Sequence, residues 1–95
     1  MISFEWDDAK ARGNYRKHRI TFHHAMEAFK DRFAVEMVDS RSADYGEDRI
    51  VLIGRAKTLL LTVVYVERGE IIRLISARRS TRTEQDAYYR DNAQS

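Results

Sequence analysis

Residues 49–79, RIVLIGRAKTLLLTVVYVERGEIIRLISARR, carry the pattern from which the fold follows. Apolar and β-branched residues dominate in runs broken by short polar turns, which is the signature of strands rather than helices. Strands are predicted at 49–55, 58–67 and 71–79. Ala56-Lys57 marks one tight turn. Glu67-Arg68-Gly69-Glu70 marks the next, with Gly69 at the positive-φ position a hairpin needs. Strands joined by loops this short lie antiparallel. On the last strand, simple alternation puts Ile72, Leu74, Ser76 and Arg78 on one face, and Ile71, Arg73, Ile75, Ala77 and Arg79 on the other.

Upstream, residues 34–38 read as a further strand and the polar stretch 39–48 as a loop. Before them, Phe22, Ala25, Met26 and Phe29 fall at i, i+3, i+4 and i+7, one apolar helix face that Thr21 can cap. An earlier helix starts at an Asp7 or Asp8 cap and runs to about His18, with Lys17, His18 and Arg19 at its negative end. Residues 2–6 form a short strand with Phe4 inward. Downstream, Thr81 or Thr83 caps a final helix through about Arg90, with Glu84 in its first turn. The predicted class is α+β, in the order β-α-α-β-β-β-β-α, with helices packed on a mainly antiparallel sheet. One domain over residues 1–91 is expected, with 92–95 a frayed tail.

A chain of 95 residues has room for a single modest core. With 43% hydrophobic and 34% charged residues, it suits an ordinary globule. The absence of cysteine excludes disulfides, thiolate metal sites and thiol catalysis, and fits a reducing cytosol. The start MISFEWDDAK has no apolar signal-peptide core. The longest apolar run, 59–66, is interrupted by Thr62 and too short to cross a bilayer. A cytoplasmic protein without membrane insertion is expected.

Charge is unevenly placed. Residues 51–83 hold seven basic against two acidic residues, whereas 20–50 hold four basic against seven acidic. The basic segment reads either as a footprint for phosphate or as a solvated strand face. The last strand carries Arg73, Arg78 and Arg79, with Arg82 following, beside a helix start whose free N–H groups also favour anions. Salt bridges to Glu67, Glu70 or Glu84 are the competing account. Tyr65, Tyr88 and Tyr89 are placed to stack or hydrogen-bond near these arginines, or to be core.

The first helix has a polar stripe, Lys10, Asn14 and Lys17, with His18 adjoining. Its small residues Ala9 and Gly13 would permit close approach to the sheet; in a merely solvated helix, Tyr15 would be the anchor. His18 suits proton transfer, since an imidazole titrates near neutrality; it equally suits capping a helix end. His23 and His24 are adjacent on the second helix and read as surface residues. No HExxH, P-loop, GxGxxG or GxSxG is present, so metal, nucleotide and serine-nucleophile chemistries lose support.

Phe4-Glu5-Trp6-Asp7, Lys10, Asn14, Lys17-His18, Phe22 and Ala25 together resemble the pattern FEWDxxKxxxNxxKHxxxFxxA of the BrnT toxins of type II toxin–antitoxin systems. Ile75-Ser76-Ala77-Arg78-Arg79 with Thr81, Glu84 and Tyr88 is similar to the same family's ISARRxTxxExxxY segment, and Gly54-Arg55 to its central GR. Arg19 departs from the pattern, where glycine would end the first helix. The resemblance implies a RelE-like fold and a metal-independent ribonuclease, without cofactor, that blocks translation. It also implies a BrnA-like, ribbon-helix-helix antitoxin as partner and RNA as substrate. Lys17, His18, Arg78 and Arg79 are then the catalytic candidates. Lys10, Asn14, Arg55, Tyr65, Arg73, Arg82 and Tyr88 are the candidates for substrate binding. A non-catalytic module binding RNA or a partner through the same basic strand is the alternative.

Overall fold

The computed structural model describes residues 2–93 and is α+β, as predicted. The chain runs β1 (Ser3–Glu5), α1 (Asp8–His18) and α2 (Phe22–Met26), which tightens into a 3₁₀ turn (Glu27–Lys30). Then follow β2 (Val35–Val38), α3 (Ser42–Tyr45), β3 (Ile50–Ala56), β4 (Leu59–Arg68), β5 (Ile71–Arg79) and α4 (Arg82–Ala93). β2 to β5 form an antiparallel meander, and β1 adds to the outer edge of β5 in parallel, giving the order β1-β5-β4-β3-β2. Short-loop reasoning does not reach this last pairing, because β1 and β5 lie at opposite ends of the chain.

Local chemistry explains the boundaries. The Asp7 carboxylate accepts from the Lys10 N–H at 3.1 Å, and the Thr21 hydroxyl from the His24 N–H at 3.0 Å, capping α1 and α2. The β3–β4 hairpin turns at Lys57 and Thr58, one residue later than predicted, because Ala56 still pairs with Leu59. Lys57 there takes φ 59°, and Gly69 in the next hairpin φ 62°. Within the predicted loop 39–48, α3 is an additional element. The Asp39 carboxylate accepts from the Arg41 N–H just before it, and Ser42 Oγ ties it to the Arg49 N–H at 2.9 Å. Four residues are too few to show a helical period. At the other end α4 continues past Arg90 to Ala93, with Asn92 Nδ2 donating to the carbonyls of Tyr88 and Phe33. Residues 94 and 95 of the expected tail lie outside the described residues.

One face of the sheet, built from Leu52, Ala56, Leu61, Val63, Tyr65, Leu74 and Ala77, receives Ile20, Phe22, Ala25 and Ala28 from the α1–α2 layer. Phe29 bridges Phe4 and Tyr65, with ring centroids 5.0 and 5.1 Å away. Gly54 is required here: a Cβ would lie 2.7 Å from the Ala28 carbonyl oxygen. Gly13 has no such role, since a Cβ there meets nothing within 4 Å, so the close approach expected of Ala9 and Gly13 is not made. Ala11 is the small α1 residue packed against the core.

The alternation predicted for β5 breaks at a bulge. Val64 faces Ser76 but Tyr65 faces Leu74, leaving Ile75 as the extra residue. Leu74 and Ala77 therefore both point into the core, and Arg79 shares their face, while Ser76 and Arg78 point the other way.

β1 covers only Ile71–Arg73 of β5, so the second half of that strand has an open edge. Asn14 of α1 fills it. Its amide accepts from the Ala77 N–H at 3.1 Å and donates to the Ala77 carbonyl at 2.9 Å, as a neighbouring strand would. The same Nδ2 also donates to the Ile20 carbonyl at 3.0 Å. The residue is buried. Asn14→Ala is expected to leave these backbone groups unpaired and to cost about 2–4 kcal/mol. In a domain this small that lowers the Tm by about 10–20 °C. A melting curve within about 3 °C of wild type would show that the amide is not what holds α1.

Candidate functional site

Asn14 fixes α1 against β5, and one turn further along the helix come Lys17 and His18. They therefore arrive beside the end of β5, where Arg78 and Arg79 leave the sheet. Lys17, His18, Arg19, Arg78, Arg79 and Thr81 line a single open concavity of about 430 Å³. It brings together all four residues singled out for catalysis. Arg19 and Thr81 are additions, the one read only as a helix end and the other only as a cap. The run of three cationic or ionisable side chains at 17–19 is the signal that could have pointed to Arg19.

Arg19 ends α1 in the left-handed conformation, φ 61° and ψ 27°, with its N–H donating to the Tyr15 carbonyl at 2.7 Å. It thus adopts the backbone that glycine would, at a cost of about 1 kcal/mol. In return its guanidinium lies 5.5 Å from the centre of the Tyr15 ring. Tyr15 is itself half-exposed, so the anchor of α1 is Asn14 rather than Tyr15.

Arg78 is held by Glu84. Nη1 and Nη2 donate to the two carboxylate oxygens at 2.7 and 2.8 Å, and Nη1 also reaches the Arg79 carbonyl at 3.3 Å. Two of the five guanidinium N–H groups remain for a ligand. Glu84 accepts further from the Thr81 N–H at 2.8 Å and the Thr62 hydroxyl at 2.9 Å. Thr81 returns a bond to the Glu84 N–H, closing a capping box at the start of α4. Burial alone would raise the Glu84 pKa, but the Arg78 pair and the Thr81 and Thr62 donors outweigh it and bring it to about 2. The Arg79 guanidinium, by contrast, has no hydrogen-bonded or ion-paired partner among the described residues.

His18 has its pKa lowered from the ordinary 6.5, first by burial and then by the positive charges of Lys17 and Arg78. At neutral pH the ring is uncharged and able to accept a proton. The concavity thus offers one neutral base and four cations, with no acid in its lining and Glu84 balancing only Arg78.

The other candidates divide. Arg55 lines a second concavity that meets the first at Arg79. Tyr88 does not stand at the site: it is buried, and its hydroxyl donates to Asp31 Oδ2 at 2.7 Å. Tyr65 is likewise core, packed on Phe29, its phenol pKa raised by burial and by the Glu36 charge. Asn14 is spent on backbone. Arg73 lies at the far end of β5 in a 2.7 Å pair with Glu5, and Arg82 pairs with Asp86 one turn on in α4. Lys10 is exposed near the start of α1 and does not line the concavity. His23 is exposed, with its ring 5.0 Å from that of Trp6, whereas His24 is partly buried and bonds the Ala56 carbonyl at 3.1 Å.

Two further concavities, on the flank formed by β1, α1 and α2, are mostly apolar, lined by Trp6, Phe22, Phe4 and Phe29 among others. His23 borders both, with Arg12 and Arg16 in one and Glu27 and Lys30 in the other, but neither sets a histidine among four cations as the concavity at the end of β5 does. No three His, Cys, Asp or Glu side chains gather into a ligand set among the described residues. Nor is any described helix long and apolar enough to cross a membrane.

Residues 6–84 match the family model described as the ribonuclease toxin BrnT of type II toxin–antitoxin systems. Comparison with individual curated proteins gives no match. The matched span takes in α1, β2 to β5 and Glu84, so both halves of the concavity lie within it.

The Glu84 knot has a definite pH signature. A carboxylate held at about 2, below its ordinary 4.5, stabilises the fold above pH 4.5 and loses that contribution as pH falls toward 2. Glu84→Gln is expected to cost on the order of 2 kcal/mol at pH 7, after allowance for solvent screening. The deficit should shrink below pH 4.5. Urea unfolding of both proteins at pH 7 and pH 3 measures it, and an equal deficit at the two pH values would contradict the assignment.

Proposed function

Because the chain belongs to the BrnT family of ribonuclease toxins of type II toxin–antitoxin systems, we propose that it cleaves messenger RNA at the concavity between α1 and β5 and thereby blocks translation. The reading rests on one observation above all: an uncharged histidine set among four cations, of which Arg78 alone has an ion-pair partner among the described residues. RNA supplies both what such a base acts on and what such cations hold, a 2′-hydroxyl next to a phosphate.

In the proposed reaction His18 takes the 2′-hydroxyl proton as the 2′-oxygen attacks phosphorus. The bond to the 5′-oxygen breaks, leaving a 2′,3′-cyclic phosphate, and the departing 5′-oxygen takes a proton from the Lys17 ammonium. Arg79 and the two free N–H groups of Arg78 stabilise the charge that grows on the phosphoryl oxygens. These side chains supply the positive charge without a metal. The antitoxin that a type II toxin requires is proposed to be a BrnA-like ribbon-helix-helix protein.

Expression of the chain alone in a bacterium is expected to arrest growth, and Arg79→Ala and His18→Ala are each expected to abolish the arrest. Loss of one charge that stabilises a transition state typically lowers the rate on the order of 10²–10³-fold. Both variants should melt within a few degrees of wild type. Folded variants that still arrest growth would place the site elsewhere, and a harmless, folded wild type would favour a binding module.

For the purified enzyme, kcat/KM is expected to rise with pH and level off at a midpoint below 6.5, since the base form of His18 is the active one. Cleavage should be unaffected by EDTA. A rate that falls as pH rises from 5 to 7, or activity restored to a chelated enzyme only by Mg²⁺, would count against this mechanism.

A further inference from the structure

Arg79 stands between two concavities. On its far side from Lys17 and His18 lies a second one, about 300 Å³, whose walls include Arg55, Thr58, Ser80, Gln85 and Tyr89. Tyr89 is its conspicuous member, an aromatic ring on α4 that is 52% exposed.

Exposed tyrosines are usually mobile, but this one is held. Its hydroxyl accepts from Arg55 Nη2 at 2.7 Å. Its ring meets that of Tyr88 edge-on, with centroids 5.2 Å apart and planes at 89°. The residues that supply both supports bond to Asp31, which accepts from the Arg55 backbone N–H at 2.8 Å and from the Tyr88 hydroxyl at 2.7 Å. Those donors hold the Asp31 carboxylate below its ordinary pKa although burial opposes them, so it stays charged. The fold thus fixes an uncovered aromatic ring beside a phosphate-binding cation. Ordering the ring in advance lowers the entropy cost of stacking on it. Gln85 adds a polar edge. Its Nε2 donates to the Ser80 carbonyl at 3.1 Å, which fixes the orientation of the amide and leaves its carbonyl oxygen without a partner among the described residues.

We propose that this second concavity is a nucleobase subsite, in which the RNA base flanking the cleaved phosphate stacks on Tyr89 while Arg79 holds the phosphate. The inference rests on the ribonuclease reading and extends it from a phosphate site to a path for the strand. A planar base suits the ring face, and the Gln85 carbonyl and Thr58 hydroxyl suit its hydrogen-bonding edge. Tyr89, rather than the neighbouring Tyr88, is the tyrosine that meets substrate.

The test uses short RNAs made uncleavable by 2′-O-methylation, each with one nucleotide replaced in turn by an abasic residue. Affinity is read by fluorescence anisotropy for wild type, Tyr89→Ala and Tyr89→Phe. Stacking of one base is worth about 1–3 kcal/mol, or roughly 5–150-fold in affinity. At one position, removal of the base should weaken wild type by such a factor. Tyr89→Ala should weaken the intact RNA by a similar factor and leave the abasic RNA unchanged, while Tyr89→Phe retains most of the stacking. The proposal is overturned if Tyr89→Ala weakens intact and abasic RNA alike, or weakens neither. Binding is read without catalysis, so a failure of the ribonuclease reading registers separately, as a wild type that cleaves no unmodified RNA in purified form or in cells.

Discussion

The amide of Asn14 is the contact on which the placement of the site depends. Half the outer edge of β5 lacks a strand partner, because β1 is only three residues long. A bare edge there would leave backbone donors and acceptors unpaired and open to other chains. The Asn14 side chain closes it at Ala77 with the geometry of a strand. One residue thereby sets the height and rotation of α1 on the sheet. Lys17 and His18, a turn later, come to stand beside Arg78 and Arg79 as a consequence. A helix this polar gains little from apolar burial, so a directional bond is what can hold it.

The bulge at Ile75 does complementary work. It turns Ala77 into the core, where it meets Asn14, and sends Arg78 to the opposite face, toward the start of α4. Adjacent arginines are thus divided. Arg78 is clamped by Glu84 into a fixed fork, while Arg79 emerges unpaired at the junction of two concavities. Glu84 serves α4 and Arg78 at once, so the helix that carries Tyr89 and the cation that faces His18 are fixed by the same carboxylate.

Much of this was legible in the sequence, for reasons that also explain what was not. The limits of β5, the hairpin glycine at 69 and the caps at Asp7, Thr21 and Thr81 follow from local rules of period and hydrogen bonding. Of the polar stripe on α1 and the arginines on β5, which the family resemblance joined, Lys17, His18, Arg78 and Arg79 share a concavity and Lys10, Asn14 and Arg73 do not line it. Long-range facts were not accessible. Strict alternation gave the wrong faces for β5 beyond Leu74, because nothing local marks a bulge at an isoleucine. Asn14 and Lys17 looked equivalent on one helical stripe, yet one is buried on backbone and the other lines the site. Tyr88 and Tyr89 are neighbours of the same type, and only the position of Asp31 decides which is core and which is exposed.

The electrostatics of the site follow from what offsets each cation. Lys17 and Arg19 stand at the end of a helix whose carbonyls carry partial negative charge, so their positive charge is partly met by α1 itself. Arg19 spreads over the Tyr15 ring, and Arg78 has Glu84. Arg79 alone receives nothing, and the cations around it repel. A fold can retain such a residue cheaply only where the head reaches water, and Arg79 is exposed. A polyanion entering there meets a counter-charge that is missing rather than one to be displaced. On the proposed reading it displaces no salt bridge of Arg79 among the described residues, and its phosphate meets a guanidinium that borders both His18's concavity and the held ring of Tyr89. Burial first, and then the positive charges of Lys17 and Arg78, lower the His18 pKa, which in the proposed reaction leaves the base free of its proton when the 2′-hydroxyl arrives. On the proposed reading, the cations that would hold the phosphate thus add to burial in readying the base, and the docking of α1 on the edge of β5 sets both.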